Sequence, residues 1–353
     1  MQLVPPRGPF SAALLAALSG QDDGAADALA AQARRSVDSS PDLVLDDDVQ
    51  LGLHLLYELH YGGLPGVPDE LEWSLPLLAA RAVVERAFEA DLRRRFWAPP
   101  AAAGVGSGDV ARRLFDLARD GGSASGSVAG HVARHATVGQ VAEVLVLRSP
   151  YQLKEADPQT WALPRLSGRP KAALVEILAD EYGGGRVDRM HARLFARCMA
   201  ALGLDDTPNA YLDHVPAAAL ASANVISLFG LHRRLRGALC GHLTLVEMTS
   251  SLPSKRWVSG LERLGLGTDA TEFFDEHVEA DALHEQIAAH DLCGTLAADE
   301  PHLLDDILFG AAVCIGMDDL TTDLALDAWR AGGTALRRRL PTPATAGAGA
   351  SGP

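Results

Sequence analysis

Apolar residues recur at helical spacing through most of this chain, and no stretch sustains the apolar–polar alternation of a half-buried strand. That one-sided pattern constrains the fold to the all-α class. Aromatic residues make up only 5% of the sequence, and Ala and Leu dominate the apolar set. Both lose little side-chain freedom in a helix, so composition points the same way as periodicity. With 353 residues, 48% of them hydrophobic, the chain can bury one large core or two smaller ones.

Helices are expected over 10–18, 25–35, 49–60 and 73–96. In the third, Leu51, Leu55, Leu56 and Leu59 share one side, and Tyr61-Gly62-Gly63 ends it. The fourth ends in Arg93-Arg94-Arg95, which suits the negative end of the helix dipole. Loose stretches at 98–108 and 120–130 follow, rich in Gly, Ala and Ser. The second divides an N-terminal helical region, 1–130, from a helical domain at 131–340. Within that domain, helices are expected over 131–147, 171–182, 189–202, 217–249, 259–264, 272–290, 301–315 and 319–340. The Ala/Gly/Pro-rich tail at 341–353 is expected to be disordered.

The net charge of −15 repels phosphate backbones, so nucleic acid is an unfavourable partner. No apolar run reaches the roughly 18 residues that span a bilayer, so no membrane partner is expected. No basic segment precedes the first apolar stretch, as a signal peptide requires. Cys198, Cys240, Cys293 and Cys314 form no CxxC pair and read as small buried hydrophobes in a reducing cytosol. A cytoplasmic location is expected.

The chemistry-bearing residues cluster in the C-terminal two-thirds. His277, Asp281 and His284 stand at i, i+4 and i+7, so one helix face presents two imidazoles and a carboxylate. That set can hold a divalent metal such as iron. Glu181 and His191 flank the Gly183-Gly184-Gly185 run, which must interrupt a helix and can bring both to one metal. Glu247 lies in a long apolar segment where an unpaired carboxylate is costly. Glu155 sits in an ordinary charged stretch. For each of these, solvent exposure is the simpler alternative when the residue is taken alone.

Together the residues resemble the ligand pattern of the haem-oxygenase-like di-iron oxidases and oxygenases, also called iron-containing redox enzymes. The pattern is a Glu, a Glu-x9-His pair, a Glu, and a final His-x3-Asp-x2-His. Glu155, then Glu181 with His191, then Glu247, then His277, Asp281 and His284 fill every slot in order. The resemblance covers about 131–330 and implies a haem-oxygenase-like helical bundle with an additional N-terminal helical region. It implies two irons, one on Glu155, His191 and His284, the other on Glu247, His277 and Asp281, with Glu181 between them. Four carboxylates nearly neutralise two ferrous ions and leave positions for dioxygen as co-substrate. The implied activity is oxidation of a small amine or amino-acid-derived metabolite, by N-oxygenation, desaturation or oxidative C–C cleavage. An external electron donor and a homodimer stay open. The glycine run beside two ligands further suggests a mobile ligand helix.

Other motifs are weaker. His284-Glu285 has its next histidine at His290, the wrong spacing for a zincin pair. Glu58 and His60 read as a surface and packing pair, and His131 with His135 as an exposed helix start. His232, Arg233, Arg234 and Arg236 form a short basic patch. Two alternatives remain: a metal-free enzyme of the same fold, similar to thiaminase II, and a helical binding protein. The first needs an activated Cys, and none of the four stands in an activating context.

Overall fold

The computed structural model describes residues 4–20, 25–97 and 109–340, with the side chains of 25–27 and 279–283 outside the described set. The expected loose stretch at 98–108 and the tail at 341–353 lie outside the described residues. Among those described, every regular element is helical. The N-terminal helices are α1 (Pro9–Leu18), α2 (Ala25–Ser39), α3 (Asp47–Glu58) and α4 (Leu75–Phe96). Next come α5 (Val110–Asp120), α6 (Val128–Arg134), α7 (Val138–Gln152) and the short α8 (Asp157–Thr160). The series continues with α9 (Gly168–Glu181), α10 (His191–Ala201), α11 (Ala217–Leu231), α12 (Arg236–Arg263) and α13 (Thr268–Gln286). A π-helical stretch, Ile287–Gly294, carries α13 into α14 (Thr295–Asp299), and α15 (Leu304–Arg330) is the last helix described.

Several boundaries differ from expectation, each for a physical reason. The helix expected over 131–147 is two, because Thr137 starts a new one. Its hydroxyl accepts from Gln140 N at 3.2 Å, and Gln140 Oε1 accepts from Thr137 N at 3.0 Å. The segment 217–249 breaks after Leu231, where the Arg165 guanidinium donates to the last carbonyls of α11, Gly230 O and Leu231 O. From Arg236 the chain stays helical through Pro253 to Arg263, absorbing the helix expected at 259–264. Segments 301–315 and 319–340 merge into α15, because Gly316 serves packing rather than a break. A methyl there would overlap the Phe96 ring. The merged helix stops at Arg330, short of 340, as Gly332 takes the left-handed conformation at φ 72°.

Helix α12 is the spine, packing along α13, α15 and α6. Its contact with α15 is backbone against backbone. A methyl on Gly241 would overlap the Ile307 carbonyl, and one on Gly310 the Ala238 carbonyl. One apolar cluster runs from Phe10 and Phe88 through Phe229 to Phe309, so residues on both sides of 120–130 share it. A second holds Phe195, Trp257, Phe273, Phe274 and Trp329. Trp257 and Phe274 stack there with centroids 4.8 Å apart.

The N-terminal region also reaches the functional half by polar contacts. Glu58 and His60, expected as a surface and packing pair, are both buried. Glu58 accepts from Asn209 Nδ2 at 2.6 Å and from Lys154 Nζ. His60 Nδ1 meets Glu72 Oε1 at 3.2 Å. His131 stacks on Trp329, with centroids 5.2 Å apart, rather than facing a metal. Of the basic patch, Arg234 is paired with Glu89, and Arg236 is buried against Glu300.

Gly241→Ala tests the spine. Forcing apart two backbones in contact is expected to cost at least about 1–3 kcal/mol and to lower the thermal midpoint by several degrees. Calorimetry that finds the wild-type midpoint would show that α12 and α15 do not touch at Gly241.

Candidate metal centre

Five elements converge on one buried polar cluster. Glu155 follows α7 in a tight turn, and the next residue, Ala156, has φ 72°. Glu181 is the last residue of α9, and His191 is the first of α10. Between them the chain makes successive turns that Gly183, Gly184 and Gly185 permit, all at positive φ. A methyl on Gly183 would press on the Arg189 backbone at 2.6 Å, so this break is a packed turn rather than a slack one. Glu247 projects from the middle of α12, while His277 and His284 project from α13.

All six side chains are buried. Glu181 Oε2 lies 3.2 Å from His191 Nδ1, and Glu247 Oε2 lies 3.3 Å from His284 Nδ1. Glu155 Oε1 stands 3.8 Å from His277 Nε2, and the rings of His191 and His277 are 4.4 Å apart. One ligand atom from each of Glu155, His191 and His277 falls within 4.8 Å of the others. Glu155, Glu181, Glu247 and His277 line a single small pocket. Six of the seven expected ligands therefore come together. Asp281 lies outside the described side chains.

In the structure His277 rather than His284 stands with Glu155 and His191, while His284 stands with Glu247. Seven residues separate the two histidines, about 10 Å of helical rise, so each reaches a different end of the cluster. Spacing shows that they share a face, but not which partner each meets.

Each α13 histidine has one ring nitrogen committed to a protein acceptor. His277 Nδ1 meets Phe273 O at 2.6 Å, which leaves Nε2 turned toward Glu155. His284 Nε2 meets Asp180 Oδ2 at 2.9 Å, which leaves Nδ1 toward Glu247. Metal-ligating histidines are held this way, with the outer N–H on a carbonyl or carboxylate. Asp180 is the residue that sequence reasoning missed. Its one signal was adjacency to Glu181 at the end of a helix.

The site residues also perturb one another's ionisation. Burial acts to raise the Glu181 carboxyl, but the imidazoles of His191, His277 and His284 outweigh it and hold it low. Burial acts to lower His191, and the Glu181 charge outweighs that, so its value rises. For His284, burial again opposes, and Glu247 with Asp180 brings it up to about 9. Three buried atoms, Glu155 Oε2, His191 Nδ1 and His284 Nδ1, lack a hydrogen bond of acceptable geometry. Buried carboxylate oxygens and imidazole nitrogens gathered together, with some of their atoms outside any hydrogen bond, are a donor set that fits iron.

Beside the cluster lies a cavity of about 360 Å³ that shares Tyr151, Glu155, Ser250 and His277 with it. The Trp257, Phe273 and Phe274 side chains form its apolar wall. His242, also on the lining, is pushed down to about 4 by burial and stays neutral at physiological pH. All four cysteines are free, and burial raises each thiol well above its usual range. None is an activated nucleophile.

Residues 142–319, half of the chain, match the family model described as an iron-containing redox enzyme. The chain is also similar to a nitrosourea synthase from Streptomyces achromogenes subsp. streptozoticus. Identity is 28% over 145 residues, which are 41% of this chain and 31% of that protein. The similarity thus spans about a third of that relative's length.

Two outcomes are expected from this geometry. Asp180→Asn removes the charged acceptor that orients His284, and iron affinity should fall about 10–100-fold in a chelator competition. An unchanged affinity would detach Asp180 from the centre. His242 has its folded value depressed, so its contribution is present above the unfolded value of about 6.5 and is lost as pH falls towards 4. The full loss is on the order of 3 kcal/mol. Denaturant titrations of wild type and His242→Phe across that window should show a shallower acid-side decline in the variant. Parallel curves would show that His242 titrates normally.

Proposed function

The chain belongs to the iron-containing redox enzymes, and from that premise we propose a non-haem di-iron oxidase or oxygenase acting on a small amine or amino-acid-derived metabolite. The observation that carries this reading is the convergence of three carboxylates and three imidazoles in the interior, with three of their atoms lacking hydrogen bonds. Glu155, His191 and His277 would hold one iron, and Glu247 with His284 the other, with Glu181 beside both groups. Asp281 is proposed as a seventh ligand on its spacing alone. Bound there, ferrous iron would supply the electrons that activate dioxygen.

The chain's own residues do the rest. Asp180 and the Phe273 carbonyl fix which nitrogen of His284 and His277 faces inward. Burial, with the Glu155 and Glu181 charges, keeps the Tyr151 phenol protonated beside the cluster. Gln159 Nε2 donates to that phenol oxygen at 2.8 Å and holds it in place. The aromatic wall excludes bulk water from the reacting end of the cavity. A nitrogen-bearing substrate is supported by the similarity to a nitrosourea synthase. N-oxygenation, desaturation and oxidative C–C cleavage all suit such a substrate, as does an external electron donor.

Anaerobic loading of the metal-free chain with ferrous iron tests the reading. About two irons per chain are expected, with oxygen uptake and a transient visible absorbance on mixing with air-saturated buffer. His284→Ala should lose at least one iron and the oxygen uptake. No stoichiometric iron in the wild type would overturn the proposal.

A further inference from the structure

Glu155 is presented by a turn that other elements have to hold. It lies beyond Gln152, the last residue of α7, and the next residue, Ala156, takes the left-handed conformation at φ 72° without being a glycine. Such a conformation persists only where the surroundings over-determine it. Two side chains of the turn reach outward. Lys154 Nζ donates to Glu58 Oε1 at the end of α3, 96 residues away, and stands 4.5 Å from the centre of the Tyr61 ring. Asp157 Oδ1 accepts from Tyr182 Oη at 2.7 Å, and Tyr182 directly follows Glu181.

Glu58 is itself fixed. Its other oxygen accepts from Asn209 Nδ2 at 2.6 Å, and His54 Nε2 stands 3.7 Å from Oε1. The Glu58 side chain is 6% exposed and that of Lys154 13%, so the ion pair is shielded from water. Burial acts to raise the Glu58 carboxyl, but Lys154 and His54 outweigh it and hold it low. Tyr61, whose ring the ammonium faces, donates to Ser227 Oγ on α11 at 3.1 Å. A charge pair sealed in this way keeps one geometry, because either charge left alone would be strongly penalised.

Taking the buried cluster as the iron centre of the reading above, we infer that Glu58, Lys154 and Tyr182 are positioning residues for it. Glu58 and Lys154 hold the turn that presents Glu155, and the Tyr182–Asp157 bond ties that turn to the end of α9 that carries Glu181. None of the three lines the small pocket of carboxylates and imidazoles, so they act through Glu155 and Glu181. The N-terminal helical region thereby has a task at the centre, since α3 supplies the anchor for the turn. Glu155 stands with His191 and His277, so loss of the anchor weakens one metal position more than the other. A role in stability alone would not do so, because a buried ion pair can be replaced by neutral groups with little lasting cost to the fold.

Anaerobic titration of the full, metal-free chain with cobalt(II), followed by visible absorbance, reads each metal equivalent without turnover. In Glu58→Gln and in Lys154→Met one equivalent should bind about 10–100-fold more weakly while the other keeps its wild-type affinity. Tyr182→Phe should weaken the same equivalent. Lys154→Arg, which keeps a cation within reach of Glu58, should recover most of the affinity. Leu14→Ala opens a cavity in the N-terminal core away from the turn, so it should lower the thermal midpoint and leave both equivalents unchanged. Hydrogen exchange on the metal-free chain reads the turn itself. The Asp157 and Gln159 amides, which donate to Lys154 O and Ala156 O, should exchange at least tenfold faster in Glu58→Gln, with the amides of α12 unchanged. Wild-type exchange and affinity in Glu58→Gln, or equal weakening of both equivalents in step with the thermal midpoint, would overturn the positioning role. In the first of these cases the wild type still takes up its metal and the iron reading stands, whereas no uptake by the wild type removes both. Should Glu58→Gln or Lys154→Met fail to fold, Tyr182→Phe, which removes a single hydroxyl, still decides.

Discussion

Everything at the centre depends on carboxylates and imidazoles sharing a volume from which water is excluded. Glu155, Glu181, Glu247, His191, His277 and His284 are all buried. A lone carboxylate in such a place is strongly penalised, and so is a lone imidazolium. Here each carboxylate stands within 3.8 Å of an imidazole. The mutual attraction lifts His191 and His284 and holds Glu181 low, against the direction that burial alone would impose. A cluster of this kind is tolerable as a network of ion pairs and favourable around a metal that displaces the remaining protons. Its members are therefore spread over five chain segments, and the bundle has to hold those segments at fixed positions.

The bundle does so through close backbone contacts and polar ties. Helix α12, which carries Glu247, lies against α15 with no room for a methyl at Gly241 or Gly310. The packed glycine turn fixes the distance between Glu181 and His191. Glu58, from the N-terminal region, takes Lys154, the residue before Glu155. The helices ahead of the family match thus touch the site indirectly, through the turn that presents Glu155. Burial of Glu58 among Lys154, Asn209 and His54 is a long-range arrangement with its own cost, offset by complete pairing.

Beside the cluster of carboxylates and imidazoles, the Trp257, Phe273 and Phe274 side chains give the cavity an aromatic wall.

The all-α class was legible in the sequence because periodicity and Ala/Leu content are local properties of the chain. Six of the expected ligand residues, which the tertiary structure brings together, were also legible, through residue types and order, although none is decisive alone. The Thr137–Gln140 cap is also a local feature, a Thr-x-x-Gln, but the reading of 131–147 as one helix passed over it. Other features depended on residues far apart in sequence. Arg165 ends α11 from 65 residues away. Asp180 fixes His284 from 104 residues away. Gly316 lies between two segments expected as separate helices, yet it packs on Phe96 within one unbroken helix. Glu58, placed at the surface by its neighbours, is drawn inside by Lys154 and Asn209. Sequence by itself determined which side chains lie on a common helical face, because that follows from 3.6 residues per turn. Only the tertiary structure decided which faces meet, and so which histidine stands with which carboxylate, because that is set by packing between segments remote along the chain.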